Sequence, residues 1–173
     1  MAKRVMVPLD RSARSEVALD AVRELCEPGD EVFLLSIDAP AESLQRGFRP
    51  GRVIRGGVGG QSGGGVSYTS RPDMPTYAET KDQTIQRQLD EMQDYLLSKS
   101  SALEKAGFRV EIGMEIAERP AEPIVDIARR INPTFIIMVR STHPSVGERL
   151  FGTVPQHVIR ENVAPVLILP VPD

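Results

Sequence analysis

Phe135-Ile136-Ile137-Met138-Val139 is an uninterrupted apolar run, and Gly152-Thr153-Val154-Pro155-Gln156 follows it as a helix-start signal. This pairing decides the fold. A short run apolar at every position fits a strand covered on both faces, as in a parallel sheet with helices on each side. Thr153 offers a capping hydroxyl, Pro155 suits a first helical turn, and Gln156 stands three residues after the cap. A helix beginning at Thr153 is therefore expected. A buried strand passing through a loop into a helix N-terminus is also a usual place for an anion, because the first amides lack internal partners and the helix dipole favours negative charge. Gly152 removes a Cβ that would hold a phosphate off the backbone. The same residues equally describe an ordinarily capped helix with no ligand.

Outward from this segment the chain alternates strand and helix. Apolar runs at residues 5–9, 32–37 and 166–169 read as further strands. Val110, Ile112, Met114 and Ile116 alternate with Glu111, Gly113 and Glu115, which predicts a strand with one wet face at a sheet edge. Helices are expected at about 13–26, along a stripe of Ile85, Leu89, Met92, Leu96 and Leu103 ending near Gly107, and around Ile124, Ile127, Ala128 and Ile131. Residues 39–75 carry no usable periodicity and include the tract Gly56-Gly57-Val58-Gly59-Gly60-Gln61-Ser62-Gly63-Gly64-Gly65. We read them as a flexible insertion in one loop of a single domain spanning 1–173. The expected architecture is a doubly wound, five-stranded parallel α/β sheet with helices on both faces.

Bulk properties narrow the function classes. A chain of 173 residues with 40% apolar and 26% charged residues is ordinary for one soluble domain. A net charge of −3 provides no footprint for nucleic acid. No apolar run reaches the roughly 18 residues of a membrane span, and the N-terminal apolar stretch is too short for a signal peptide. A cytoplasmic protein is expected. Cys26 is the sole cysteine and lies on an apolar helix face, so a buried structural thiol is expected. With His143 and His157 as the two histidines, no metal site is expected.

Three pieces of the chain, in order, resemble the universal stress protein family. Val5-Met6-Val7-Pro8-Leu9-Asp10-Arg11-Ser12 is similar to its opening hydrophobic–Val-Pro-hydrophobic-Asp-Gly-Ser. Pro133-Thr134-Phe135-Ile136-Ile137-Met138 resembles its Ala-Asp-Leu-Ile-Val-Met strand. Gly152-Thr153-Val154 with Ala164-Pro165-Val166-Leu167-Ile168-Leu169 resembles Gly-Ser-Val followed by Cys-Pro-Val-Leu-Val-Val.

The resemblance implies a nucleotide cleft formed by Pro8, Leu9, Asp10, Ile37, Met138, Val139, Arg140, Thr142, Gly152, Thr153 and Val154, with ATP or AMP as the candidate cofactor. In it Asp10 would meet the ribose or adenine, and Ile37 would meet adenine through its backbone. Asp10 also fits a plain structural role near the N-terminus of the first helix. Family members that bind ATP share a motif of Gly, two residues, Gly, nine residues, Gly, then Ser or Thr. In register, that motif falls here on Val139, Thr142, Gly152 and Thr153, so two of its three glycines are absent. If the turn at Thr142 needs positive φ, a non-glycine residue there costs on the order of 1–2 kcal/mol. Arg140 could offer charge to a phosphate that those glycines no longer cradle.

Other chemistries lack their residues. The chain has neither a Gly-x-x-x-x-Gly-Lys-[Ser/Thr] loop nor a Gly-x-Ser-x-Gly elbow. Where adenylating enzymes of a related α/β group carry Ser-Gly-Gly-x-Asp-Ser, it reads Pro8-Leu9-Asp10-Arg11-Ser12. No enzyme is expected. The leading expectation is a dimeric stress-response regulator acting through contacts with a regulatory protein partner, its nucleotide binding weak or absent. The alternative is an ATP- or AMP-binding stress sensor using an atypical phosphate loop. The homodimer is expected through Val166, Leu167, Ile168 and Leu169, an apolar run that would otherwise be an open edge.

Overall fold

The computed structural model describes residues 2–40, 81–141 and 149–171. The strands are β1 (Arg4–Leu9), β2 (Glu31–Asp38), β3 (Arg109–Ile116), β4 (Phe135–Ser141) and β5 (Val166–Val171). Between them come α1 (Val17–Leu25), α2 (Lys81–Lys105), α3 (Ala121–Ile131) and α4 (Arg149–Glu161). The strands form one five-stranded sheet in the order β3-β2-β1-β4-β5, and every pairing is parallel. The expected insertion at 39–75 lies outside the described residues apart from Ala39 and Pro40.

Strand alternation sorts the core into two layers. Val5, Val7, Leu9, Val32, Leu34 and Ile137 pack with Ala18 and Val22 of α1 and Leu96 and Leu103 of α2. Met6, Leu35, Ile37, Ile136 and Met138 pack with Ile124, Val125 and Ala128 of α3 and Val154 and Val158 of α4. Burial on both faces explains the continuous apolar runs of β1, β2 and β4. β3 lies at one edge, and its Glu111 and Glu115 are exposed as the alternation predicts. Cys26 is buried, and desolvation pushes its thiol pKa up, so it is a structural apolar residue.

Several boundaries differ from those expected. Helix α1 starts at Val17, not near residue 13. Its approach is a tighter turn built on i→i−3 bonds, from the amides of Ser15, Val17, Ala18 and Leu19 to the carbonyls of Ser12, Arg14, Ser15 and Glu16. Helix α2 ends as expected: the Gly107 and Phe108 amides bond back to the Glu104 and Leu103 carbonyls, with Gly107 at φ +94°. Ile85, the first member of its apolar stripe, is exposed. A 25-residue helix is about 37 Å long, whereas an eight-residue strand spans about 26 Å, so the first turns of α2 overhang the sheet.

Pro170 does not end the last strand, which continues to Val171. The Ile136 amide donates to the Pro165 carbonyl, which sets Leu167, Leu169 and Val171 to bond toward β4. Pro170 therefore turns its missing N–H toward the open edge, where β4 loses nothing.

Candidate functional site

The order of strands reverses direction between β1 and β4, and doubly wound sheets bind ligands at the carboxyl ends of strands at such a point. Here the crevice has a covalent cause. Pairing of β1 with β4 covers Val5↔Phe135 and Met6↔Ile136 and then stops. The next bond of this parallel ladder would come from the amide of residue 8, which is proline and has none. Beyond Met6 the two strands have no ladder to hold their ends together.

At the carboxyl end of β2 lies a cavity of about 380 Å³, within the usual range for small-molecule sites. Ile37, Asp38 and Ala39 at the end of β2 form one wall, and the turn from Ala117 to Pro120 forms another. Ala121 and Glu122 open α3 along its side, and Val154 and His157 of α4 complete it. Its apolar lining suits a flat ring, while Asp38, Glu118, Arg119, Glu122 and His157 supply polar atoms. Arg119 pairs with Glu122 at 3.2 Å, and His157 stands 4.0 Å from Glu161.

The expected site residues divide between the two faces. Ile37 and Val154 line the cavity, and Met138 packs in the same core layer as both. Pro8 alternates with Leu9 onto that side. Leu9 and Val139 pack in the opposite layer, against α1 and α2, so their side chains point away from the cavity. Asp10 is exposed just past β1, and its Oδ1 accepts bonds from the Ser12 amide at 3.0 Å and hydroxyl at 2.6 Å. These bonds close a local turn several residues ahead of α1. Arg140 lies in β4 and Thr142 outside the described residues.

The helix-start signal was misplaced. Helix α4 begins at Arg149, which sets Gly152 and Thr153 inside it and makes Pro155 an interior proline. An interior proline forgoes one bond, to the carbonyl four residues earlier, and the helix continues through it. The unpaired N-terminal amides thus lie about one turn earlier than Thr153 suggested.

The sequence reading missed an ion-pair cluster at the same sheet edge. Arg11, the residue after Asp10, adopts φ +62° without being glycine. Its guanidinium pairs with Asp38 and stands 3.6 Å from Glu91 of α2. Burial pushes the Asp38 pKa up, Arg11 pulls it down, and Glu91 and Asp10 add to the rise. The positive φ had no sequence signal beyond the glycine of the resembling motif, and Asp38 is 27 residues away. Glu118, Arg119 and His157 were likewise missed, since they meet the cavity from separate elements.

Among the described residues no three His, Cys, Asp or Glu side chains are grouped to hold a metal, and no helix is long and apolar enough to cross a membrane.

The model of the universal stress protein family matches residues 66–170, well over half of the chain. No curated protein sequence matches significantly. Among solved structures the fold is similar to that of MJ0577, a structural-genomics test case for assigning biochemical function, with TM-score 0.66, 23% identity and 100% and 99% of the two chains covered. A universal stress protein in complex with cAMP is similar at TM-score 0.51 and 15% identity, covering 98% of this chain and 97% of that one. One from Arabidopsis thaliana, with AMP bound, is similar at TM-score 0.53 and 13% identity, covering 97% and 91%. With a family model matching more than half of the chain and the same fold in solved members, this chain belongs to the universal stress protein family.

Proposed function

We propose that this chain is a universal-stress-type regulator that works as a homodimer through protein contacts and binds adenine nucleotide weakly, by its base and ribose end. The observation that carries the ligand reading is the cavity at the carboxyl end of β2, lined by Ile37 and Val154. Structural relatives solved with AMP and with cAMP support adenine as the base. The weakness follows from Val139 and Thr142, which stand where the ATP-binding motif has glycines. A side chain where the motif has glycine keeps a phosphate from closest approach to the backbone, whereas the base needs only an apolar slot. The reading assigns the protein no catalytic step.

The dimer reading rests on β5. It lies at the sheet edge opposite β3, and Leu167 is among the exposed large hydrophobic residues. An apolar edge strand is a template for pairing, and a two-fold copy covers it without leaving a further edge open.

Filling the cavity tests the ligand reading. Ala117→Phe places a ring where the base would sit, at a position only partly buried, so the fold should tolerate it. AMP binding by the full chain, measured calorimetrically, should fall at least about tenfold, or about 1.4 kcal/mol. Equal AMP affinity in the parent and Ala117→Phe, with both folded by circular dichroism, would move the base elsewhere.

A further inference from the structure

We propose that Arg11 is a positioning residue for the ligand edge: its ion pairs with Asp38 and Glu91 hold the β1–α1 turn, which carries Asp10, against the strand end that lines the cavity. This rests on the nucleotide reading above and names a residue that reading does not use.

A long side chain at φ +62° is costly, and such conformations persist where surrounding contacts over-determine them. Arg11 stands where the resembling motif has glycine, which takes this φ without strain. The contacts that hold it are tertiary. Asp38, the last residue of β2, has a side chain only 13% exposed, and a buried carboxylate needs a partner. Arg11 is that partner, and it also reaches Glu91, which draws Arg87 at 3.8 Å from the same helix.

Within the turn, bonds are local. Ser12 donates to Asp10, the Ser15 amide donates to the Ser12 hydroxyl at 3.1 Å, and the Ser15 hydroxyl donates to the Ser12 carbonyl at 2.8 Å. These bonds stiffen the turn but do not tie it to β2. The Arg11 side chain makes that connection, and the residue it grips lies between Ile37 and Ala39 in the cavity wall. Removing the grip should let Asp10 and the cavity wall move independently.

Arg11→Gly removes the side chain while keeping the backbone conformation accessible. Asp38→Asn removes the partner charge, and Arg11→Lys keeps the charge without the planar fork. In the AMP-free protein, amide hydrogen exchange across residues 12–16 should quicken by about tenfold in Arg11→Gly and in Asp38→Asn, with melting temperatures little changed. AMP affinity should fall roughly five- to tenfold in each, the double variant should be no weaker than the weaker single, and Arg11→Lys should recover part of the loss. Unchanged exchange rates overturn the proposal, as do affinity losses that multiply in the double variant. If the parent binds no AMP, the nucleotide reading fails separately, and the exchange rates alone decide whether Arg11 holds the turn.

Discussion

Val139→Gly together with Thr142→Gly should tighten ATP binding by roughly thirty- to a thousandfold, on the order of 2–4 kcal/mol. The gain would come from close backbone approach to phosphate and from relief of strain in any turn that needs positive φ. The two substitutions should not contribute equally. Val139 is half-buried, and its side chain packs with the α1 and α2 layer, away from the cavity. Its replacement should cost about 2 kcal/mol of fold stability, from lost packing and from glycine's freedom in the unfolded chain. A domain of ordinary stability tolerates that loss. Thr142→Gly alone is therefore expected to supply most of the gain in affinity, with little change in melting temperature. Calorimetry on the parent, both single variants and the double variant separates these contributions. Asp10→Ala in the double background should then forfeit much of the gain, because the ribose contact would be lost. A double variant that still fails to bind ATP would place the defect outside the glycine motif.

The second large effect concerns assembly. Leu167→Lys should convert the proposed dimer to monomer in sedimentation velocity at micromolar concentration. Lysine on an edge strand is a standard device against edge pairing. At a two-fold interface each substitution also appears twice, setting two like charges against the facing copy. Leu167 is 36% exposed in the isolated chain, so the substitution should leave the protomer folded. Val166 and Ile168 share that strand but pack against the α3 and α4 layer, so changing them would confound assembly with stability. A Leu167→Lys protein sedimenting at the same rate as the parent dimer would put the interface on another surface.

The architecture was legible in the sequence because it depends on burial. Unbroken apolar runs marked β1, β2 and β4 as covered on both faces, the run at 166–169 marked β5 as a strand, and the alternation of Val110 to Ile116 marked β3 as an edge. Gly107 closed α2 where expected, and Asn132 closes α3 in the same way, each with a positive φ that ends a helix. Helix starts were less legible, since they depend on which of several competent residues takes the cap. Ser12 to Glu16 form a turn before α1, and α4 begins ahead of the Thr153 signal because its interior accommodates Pro155.

The geometry at the candidate site was legible only in part. Of the residues that the family resemblance implied, Ile37 and Val154 line the cavity, whereas the faces taken by Leu9 and Val139 depend on strand alternation within the sheet. The pairing of Arg11 with Asp38 and the meeting of Ala117, Arg119 and His157 around one cavity are tertiary facts with no local pattern to announce them.

The central claim is that the ligand is held by its base and ribose end while the phosphates add little. Calorimetric titration of the full chain with adenosine, AMP and ATP, under one buffer and salt, tests it most directly. The three dissociation constants should agree within about fivefold, a spread of roughly 1 kcal/mol, because each phosphate meets a loop without two of the motif's glycines. ATP binding about a hundredfold tighter than adenosine would contradict the claim, showing that the chain grips phosphate despite Val139 and Thr142.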